Sequence, residues 1–332
     1  MSAGPEEIAE AVRRLSAGGL VAFPTETVYG LGADATSEAA VRQVFAVKGR
    51  PAENPLIVHV SDARMARGVV AGWSAEAQRL AEAFWPGPLT LVLPKAVGVS
   101  PVVTAGGPMV AVRSPDHALT LAMIETFGRP VVGPSANPSG GVSPTTAEHV
   151  RSSFSSEQVY VLDGGPCRGG IESTVVSLAG RPRVLRPGLV SAVEIGRVLG
   201  VSVEEGEPGR VDGGQSGSPG QMVQHYAPRA TAVLFQPEEW ERVEEMLSGA
   251  EGPGVVVTHA ARVVAPPHRV IVMPGDAEGY ASRLYGALRE ADAGGPSVIA
   301  VETPPRGEVG TREWGVWMAV RDRLIRATLP ME

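Results

Sequence analysis

Residues 21–34 contain the feature that most limits how this chain can fold. Residues 20–23 are a short apolar run typical of a buried strand, and Pro24 has no amide hydrogen with which to continue a strand ladder. The chain must therefore turn here. Gly30 and Gly32 follow, and glycine permits backbone conformations that other residues resist. Between the proline and the glycines lie four polar side chains, Thr25, Glu26, Thr27 and Tyr29.

This stretch alone leaves two interpretations open. The polar side chains could grip a small polar ligand. They could equally form a plain connection whose hydroxyls cap its own backbone. The rest of the chain has to decide between them.

The charge of the chain is unevenly distributed. Its 332 residues suggest about two domains. The net charge of −7 lies wholly in residues 201–332, because residues 1–200 hold 17 basic and 17 acidic side chains. An acidic second part argues against a nucleic-acid-binding tail there, since neutralising phosphates needs clustered Lys and Arg.

The sequence predicts a cytoplasmic location. The first ten residues carry three glutamates and no apolar run, unlike a secretory signal. A long uncharged run, residues 96–112, is broken by prolines and glycines and is not expected to span a membrane. A single cysteine, Cys167, excludes an internal disulfide framework and a multi-cysteine zinc site, which fits a reducing cytosol.

An electropositive corner follows the second predicted helix, residues 37–47, for which Ser37 is the expected N-cap. Lys48 and Arg50 are separated by one glycine and followed by Pro51, so an anion could approach the backbone closely. The alternative is a solvated helix C-terminus, where cations favour the helix dipole.

A second polar loop, residues 133–144, contains three prolines, three glycines and several short polar side chains. It follows an apolar strand at 131–132 and precedes a helix expected to open at Ser143. Such a loop could hold phosphate through backbone and hydroxyl groups. The chain has no Walker-A motif and no dinucleotide-binding glycine fingerprint, so any nucleotide would bind in a different kind of pocket.

The first 200 residues alternate irregularly between strands, turns and helices, which predicts an α/β fold with a mixed, twisted sheet. The predicted helices cover residues 5–15, 37–47, 78–85 and 116–127. The predicted strands cover residues 20–23, 56–60, 89–93, 110–113, 131–132, 159–162, 171–176 and 183–185. Arg113 ends one of them, and arginine is the side chain best suited to a bidentate grip on a carboxylate.

The remainder predicts a small, Rossmann-like α/β domain with a parallel sheet. Its predicted strands are residues 231–235, 254–258, 269–273 and 297–301, and its predicted helices are 238–247, 277–291 and about 313–327. We expect a catalytic domain at 1–202, a flexible Gly- and Ser-rich linker at 203–229 and the second domain at 230–332. The second domain could regulate, anchor a lid or stabilise, and the sequence does not discriminate among these roles.

Five motifs together resemble the YrdC-like family across residues 8–200. They are Phe-Pro-Thr-Glu-Thr-Val-Tyr-Gly-Leu-Gly at 23–32, Lys-Gly-Arg-Pro at 48–51 with Asn-Pro-Leu at 54–56, Trp-Pro-Gly-Pro-Leu-Thr at 85–90, Gly-Pro-Ser-Ala-Asn at 133–137, and Ser-Thr-Val at 173–175. The C-terminal part, reached through His-Tyr-Ala-Pro at 225–228, resembles the longer, two-domain form of the family. The resemblance implies a concave pocket on the twisted sheet.

This resemblance also implies an activity. Such an enzyme joins L-threonine, bicarbonate and ATP into threonylcarbamoyl-adenylate and releases pyrophosphate. Downstream enzymes then use the product to modify the tRNA adenosine beside the anticodon. No protein nucleophile is needed, because the work is positioning and charge neutralisation. We expect Mg²⁺ to accompany ATP, no organic cofactor, and no stable direct binding of tRNA.

The resemblance assigns roles residue by residue. The implied threonine-binding residues are Thr27, His59, Arg113, Gly133 and Ser173. The implied ATP-binding residues are Lys48, Arg50, Asn54, Met109, Ser135, Asn137, Ser143, Arg186 and Tyr226, with Lys48 and Arg50 also catalytic. The 225–228 segment is expected to fold back over the pocket and to bring Tyr226 onto the nucleotide. No metal ligand is assigned.

Two other readings compete. The first domain could be an RNA-binding or ribosome-maturation module, although its zero net charge and few aromatic residues do not favour this. It could also transfer carbamoyl groups from carbamoyl phosphate, as related hydrogenase-maturation proteins do. Those proteins carry cysteine-rich zinc modules, which a single cysteine excludes.

Overall fold

The computed structural model describes residues 4–205 and 226–331, and these form two α/β parts, each built on one sheet. The first sheet has ten strands in the order β10-β9-β8-β4-β5-β3-β6-β2-β1-β7. Their bounds are β1 Leu20–Phe23, β2 Gly30–Asp34, β3 Ile57–His59, β4 Leu89–Pro94, β5 Met109–Arg113, β6 Val131–Val132, β7 Val159–Val161, β8 Thr174–Ser177, β9 Arg183–Arg186 and β10 Glu204–Glu205. It contains both parallel and antiparallel pairs, which confirms the predicted mixed sheet.

Seven α-helices accompany this sheet in the part of the chain that the structure describes. They are α1 Pro5–Ser16, α2 Glu38–Lys48, α3 Ala63–Arg67, α4 Ala75–Phe84, α5 Ala118–Phe127, α6 Ala147–Arg151 and α7 Ala192–Leu199. Ser37 caps α2 as predicted, because its hydroxyl accepts a hydrogen bond from the Ala40 amide. Helices α3 and α7 were not predicted.

Strand β1 shows that the sheet is buried on both faces. Leu20 and Ala22 join the larger core, which includes residues of α2, α4 and α7. Val21 and Phe23 point the other way and pack with residues of α1 and α5. Side chains alternate between the two faces of a strand, so an uninterrupted apolar run is what a doubly covered strand requires.

The role predicted for Gly30 and Gly32 was wrong in one respect. Both lie in the fully buried strand β2, and neither has a positive φ. A Cβ on Gly30 would lie 2.7 Å from the Phe23 ring, and one on Gly32 would lie 2.9 Å from the Val21 carbonyl oxygen. These glycines are therefore needed for close approach of β1 and not for a special backbone conformation.

Three other boundaries also differ from the prediction. Helix α6 begins at Ala147 instead of Ser143, because the hydroxyl of Thr146 caps it by accepting a hydrogen bond from the His149 amide. Helix α4 begins three residues earlier than predicted, with Ser74 as its cap. Strand β8 begins at Thr174, so Glu172 and Ser173 precede it instead of belonging to it.

The second sheet has five parallel strands in the order β13-β12-β14-β11-β15, which confirms the predicted parallel α/β architecture. Its strands are β11 Ala232–Phe235, β12 Gly254–Thr258, β13 Arg269–Val272, β14 Val298–Glu302 and β15 Leu329–Pro330. Its helices are a 3₁₀ turn at Pro237–Glu239, α8 Trp240–Ser248, α9 Ala277–Asp292 and α10 Arg312–Ala327. Strand β15 was not predicted.

The predicted linker lies mostly outside the described residues, so its character stays a prediction. Strand β10 still pairs with β9 of the first sheet, two residues beyond the predicted end of the first domain. The division at 202, 203 and 229 accordingly also remains a prediction.

The two parts are in close contact through glycines. A Cβ on Gly170, whose φ is +71°, would lie 2.3 Å from the Ala281 carbonyl oxygen of α9. One on Gly315 of α10 would lie 2.5 Å from the side chain of Ser191. Helices α9 and α10 thus pack directly against the first part. None of the described helices combines the length and the apolar character that crossing a membrane requires.

Candidate active site

A small pocket opens on the first sheet where the two polar loops meet. The turn after β1, the ends of β3 and β5, the loop after β6 and the segment before β8 all reach it. Its walls are Thr25, Thr27, Val28, Gly30, Arg50, Ile57, His59, Arg113, Gly133, Pro134, Ser135, Glu172, Ser173, Arg186 and Tyr226. The predicted residues Thr27, Arg50, His59, Arg113, Gly133, Ser135, Ser173, Arg186 and Tyr226 therefore come together here.

The turn after β1 is held rigid by its own hydroxyls. Thr25 Oγ1 donates a hydrogen bond to the Val28 carbonyl oxygen at 2.6 Å and accepts bonds from the amides of Thr27 and Val28, each at 3.1 Å. The Thr27 hydroxyl lies 2.8 Å from that of Thr25. The turn therefore caps its own backbone and also lines the pocket. Its contact with a ligand stays a prediction.

Arg113 presents a buried cation at the end of β5. Its Nε donates to the Gly87 carbonyl oxygen at 3.2 Å, and its guanidinium lies 2.7 Å from the carboxylate of Glu26. Both side chains are about 95% buried, at 4% and 5% exposed. This geometry leaves a guanidinium, fixed along one edge, at the pocket wall, where it can bind a carboxylate.

His59 faces the pocket as a neutral ring. Burial, reinforced by the nearby charge of Arg113, lowers the pKa of His59 to about 3. Its ring packs edge-on against Phe23 at 5.2 Å between centroids. A Cβ on Gly133 would lie 2.7 Å from His59 Nδ1, so only glycine fits beside this ring. An uncharged imidazole can donate to or accept from a hydroxyl group.

Two further arginines are buried at the pocket. Arg186 donates from Nε and Nη2 to the Ser173 carbonyl oxygen, at 3.1 and 3.0 Å, and from Nη2 to the Ser173 hydroxyl. Arg50 donates to the carbonyl oxygens of Asn54 and Pro55. Burial lowers the pKa of Arg50 to about 10, so it stays charged at neutral pH. The pocket is therefore strongly attractive to anions.

Five predicted ATP-binding residues do not line this pocket. Lys48 is buried, and its Nζ donates to the carbonyl oxygens of Ser135, at 2.5 Å, and Asn137, which fastens α2 to the polar loop. The Asn137 amide donates to the Gly141 carbonyl oxygen at 2.7 Å, and Met109 packs beside Ile57. The remaining two are Asn54 and Ser143. Their contacts with ATP stay predictions.

Asn137 instead borders a larger groove beside the pocket. This groove, of about 1190 Å³, lies between the polar loop and helix α9. It includes His149 on one side and Arg283 and Arg289 on the other. The polar loop thus separates two openings, and its residues face one or the other.

Sequence reasoning missed Glu172, the buried carboxylate of the pocket. It accepts hydrogen bonds from the Ser143 hydroxyl at 2.7 Å, the Tyr285 hydroxyl at 2.9 Å and Arg323 Nε at 2.9 Å. Burial alone would raise the pKa of Glu172, but the charges of Arg323 and Arg186 and these donors lower it to about 2. Tyr285 and Arg323 belong to the second part, and no local pattern near Glu172 could have revealed them.

Tyr226 extends the contribution of the second part to the pocket wall. It is 1% exposed, has a left-handed φ of +66°, and stacks on Tyr285 at 5.5 Å between ring centroids. The guanidinium of Arg323 lies 5.7 Å from its ring centre. The next residue, Ala227, donates its amide to the Gly140 carbonyl oxygen at 2.9 Å. This segment lies over the pocket as predicted, while His225 is outside the described residues.

The donor set does not suggest a resident metal ion. Within residues 4–205 and 226–331, no group of three or more His, Cys, Asp or Glu side chains could hold one. The predicted Mg²⁺ would have to be held largely by phosphate oxygens and water, which is common for this ion. Its presence stays a prediction.

The fold and the pocket define a class. A twisted mixed sheet carries a buried pocket of three arginines, closed by residues of a second, parallel α/β part, and together they define a two-domain α/β protein with a pocket suited to small anions. The family can be stated more narrowly. The chain belongs to the family of Sua5, YciO and YrdC, whose model, described as "Telomere recombination", matches residues 13–188. A second model, described as "Threonylcarbamoyl-AMP synthase, C-terminal domain", matches residues 190–328.

Two relatives are similar over nearly the whole chain. The threonylcarbamoyl-AMP synthase of Pyrococcus abyssi is 41% identical, over 94% of this chain and 91% of its own length. The Bacillus subtilis protein of the same name is 39% identical, over 98% and 94%. A crystal structure of P. abyssi Sua5 complexed with L-threonine superposes with a TM-score of 0.87 at 38% identity, covering 98% of this chain and 96% of the other.

Proposed function

We propose that this protein is a threonylcarbamoyl-AMP synthase, an enzyme that converts L-threonine, bicarbonate and ATP into threonylcarbamoyl-adenylate and pyrophosphate. The observation that carries the proposal is the pocket itself. It sets the carboxylate-binding group Arg113 and the neutral ring of His59 beside two further buried cations, Arg50 and Arg186. The similarity to synthases spans both parts of the chain.

The threonine end of the pocket follows from group chemistry. The Arg113 guanidinium would bind the amino acid's carboxylate. The neutral ring of His59 and the hydroxyls of Thr27 and Ser173 would meet its side-chain hydroxyl and its amine. Gly133 leaves the room that these groups need, because any side chain there would strike His59.

The nucleotide end needs charge neutralisation and alignment. A carbamate oxygen must attack the α-phosphorus in line with the departing pyrophosphate, which requires positioning more than covalent chemistry. Arg50 and Arg186 are the buried cations placed to hold phosphate, with Ser135 and Tyr226 beside them. Mg²⁺ brought in with ATP would neutralise further charge. We assign Lys48, Asn54, Met109, Asn137 and Ser143 to the nucleotide site as supports behind these residues.

The product fixes the reaction that must follow. A mixed anhydride of a carbamate and a phosphate is an activated acyl donor, and we propose that cytoplasmic tRNA-modifying enzymes consume it to modify the adenosine beside the anticodon. The synthase itself needs no stable contact with tRNA for this step.

The test is pyrophosphate release by the purified full-length chain with ATP, Mg²⁺, bicarbonate and L-threonine. Each component is omitted in turn, and L-serine replaces L-threonine in a parallel reaction. We expect release only when all are present. The absence of threonine-dependent release in folded protein would overturn the proposal, and salt-dependent retention of tRNA without ATP would then favour the RNA-binding alternative.

Arg113→Lys sharpens this test. Lysine keeps the charge but cannot offer two parallel donors, so we expect the KM for threonine to rise roughly 10- to 100-fold while the KM for ATP changes little. Arg64→Lys is the matched control, because the side chain of Arg64 is 91% exposed. Equal KM values for threonine in both variants would remove Arg113 from the threonine site.

A further inference from the structure

Glu26 is a buried charge to which the proposed reaction assigns no role. Its carboxylate is paired with Arg113 at 2.7 Å, yet neither of its oxygens accepts a hydrogen bond from any residue that the structure describes. A buried carboxylate with one ionic partner and no hydrogen-bond donor is costly to maintain. Its backbone is nevertheless fixed, since the Gly169 amide donates to the Glu26 carbonyl oxygen at 2.7 Å.

Glu26 also lies between two openings. Arg113 faces the substrate pocket, while Glu26 lines a separate cleft of about 520 Å³ between the first part and helices α9 and α10. That cleft is bordered by Trp85, Leu189 and Arg312 and leads to solvent. The ion pair therefore forms part of the wall between the reacting groups and a second route to water.

The proposed reaction, on which this inference rests, produces a proton that has to leave. Threonine binds as an ammonium ion, and only its free amine can attack carbon. One proton must first be lost from the ammonium group. The amine then reacts with bicarbonate to give the carbamate and one water, with a new N–C bond formed and a C–O bond broken. The carbamate oxygen attacks the α-phosphorus, and the bond to pyrophosphate breaks.

We propose that Glu26 accepts the proton from the α-ammonium group of the bound amino acid. The carboxylate of threonine displaces Glu26 from the Arg113 guanidinium. An α-amino nitrogen lies within hydrogen-bond reach of its own carboxylate, so a threonine seated on Arg113 brings its ammonium group to Glu26. Deprived of its counter-ion in a buried setting, the Glu26 carboxylate takes up the proton. The proton then leaves through the second cleft.

The neighbouring titratable groups do not replace Glu26 in this role. Arg113 is its partner, and the charge of Glu26 also acts on His117 and Cys167. The other charged side chains that line its cleft are Arg168, Glu194, Glu278 and Arg312. Burial lowers the pKa of His117, against the charge of Glu26, and burial raises the pKa of the Cys167 thiol to about 12. Among the described residues, neither of them forms an ion pair or a hydrogen bond with Arg113. Glu26 is the anionic group in contact with the guanidinium that receives the substrate.

The decisive experiment compares two half-reactions of Glu26→Gln. The forward reaction, from L-threonine and bicarbonate, needs the proton acceptor. The reverse reaction, from threonylcarbamoyl-AMP and pyrophosphate to ATP, does not. We expect forward kcat to fall about 100-fold or more, while the reverse rate and the threonine KM change by less than about threefold. The residual forward rate should rise about tenfold per pH unit near neutrality, because only free amine from solution can react.

Glu278→Gln is the matched control, since Glu278 lines the same cleft with a side chain that is 65% exposed. It should leave both directions unchanged. A Glu26→Gln variant with wild-type forward kcat and pH profile, or with both directions lost equally, would overturn the inference. If the wild-type chain itself shows no threonine-dependent release, the proposed function has failed instead.

A measurement on the unaltered chain covers the case in which Glu26→Gln does not fold. Infrared difference spectra of the full-length protein are recorded on adding L-threonine at neutral pH. We expect a new band from a protonated carboxyl group as Glu26 takes up the proton. The absence of such a band in protein that binds threonine would overturn the inference.

Discussion

Two buried glutamates lie at the pocket, Glu172 in its wall and Glu26 behind the wall residue Arg113, and the two are held very differently. Glu172 accepts hydrogen bonds from Ser143, Tyr285 and Arg323. Among the described residues, the carboxylate of Glu26 has only its ion pair with Arg113. A buried carboxylate with three donors is locked in place, whereas one with a single ionic partner can exchange that partner for a substrate. The number of hydrogen-bond donors therefore distinguishes Glu172, whose role is structural, from Glu26, the proposed proton acceptor.

The origin of the donors explains the difference. The partners Tyr285 and Arg323 come from helices α9 and α10, 113 and 151 residues along the chain from Glu172. The described contacts of Glu26, its ion pair with Arg113 and its backbone hydrogen bond from Gly169, both lie within the first part. The position of the Glu172 carboxylate thus depends on the contact between the two parts, and the position of the Glu26 carboxylate does not. Three predictions follow, from the largest expected effect to the smallest.

Arg323→Met should destabilise the junction most. It leaves the carboxylate of Glu172 buried without its strongest partner, which costs about 3–5 kcal/mol of unfolding free energy. Denaturant unfolding measures this loss. Tyrosine fluorescence reports the stacking of Tyr226 on Tyr285, and circular dichroism reports the unfolding of the whole chain. In the variant, we expect the contact between the two parts to open at a lower denaturant concentration than the one that unfolds the whole chain.

Arg312→Met is the control for that variant. Arg312 lies on the same helix and spans the same junction, pairing with Glu278 at 3.0 Å, but its side chain is 61% exposed. We expect a loss below about 1 kcal/mol, because solvent screens such pairs. Equal losses in the two variants would show that burial of the Glu172 pair is not what stabilises the contact.

Acid should lower the contribution of Glu172 to the free energy of unfolding within a defined pH range. The folded-state pKa of Glu172 is about 2, against an ordinary value of 4.5, so its contribution is complete above pH 4.5 and is lost as the pH falls from 4.5 toward 2. The slope reaches about 1.4 kcal/mol per pH unit. We therefore measure the free energy of unfolding of the wild-type chain and of Glu172→Gln between pH 6 and 3. The wild-type value should fall more steeply with decreasing pH than that of the variant, by up to this slope. Identical slopes would contradict the assignment.

Tyr285→Phe should have the smallest effect of the three. It removes one hydrogen bond to a buried charge, worth about 1.5–3 kcal/mol, and leaves the ring stacked on Tyr226. Tyr280→Phe is a close control on the same helix, because the buried Tyr280 hydroxyl has no hydrogen-bond partner among the described residues. Thermal unfolding measures the loss of stability in each variant. An equal decrease in Tm for Tyr280→Phe and Tyr285→Phe would contradict this prediction.

Much of the fold could be predicted from local pattern. Ser37 marked the start of α2, and the apolar run of β1 indicated a buried strand. Strand β2 was missed as a strand because its glycines resemble a loop signal, whereas the Phe23 ring is what requires them. The start of α6 was placed too early because Ser143-Pro144 has the sequence of a helix start, whereas the hydroxyl of Thr146 makes the capping hydrogen bond.

The site divides in the same way. The polar turn and Arg113 were visible as unusual residues at strand ends, and family resemblance supplied the roles of His59 and Ser173. The position of Lys48, tied to backbone oxygens instead of facing the pocket, could not be predicted, because it depends on how α2 meets a loop 87 residues away. Glu172 was missed because its partners lie in the other part of the chain.

The burial of Lys48 has a practical consequence for chemical labelling. The chain contains only two lysines, and Lys48 is 3% exposed with both of its identified hydrogen bonds directed to carbonyl oxygens. Lys95, half-buried at the end of β4, is the other. Of the two lysines, amine-reactive dyes and surface-coupling reagents should therefore attach at Lys95. Immobilised or fluorescent protein made in this way would keep its pocket open to ligands.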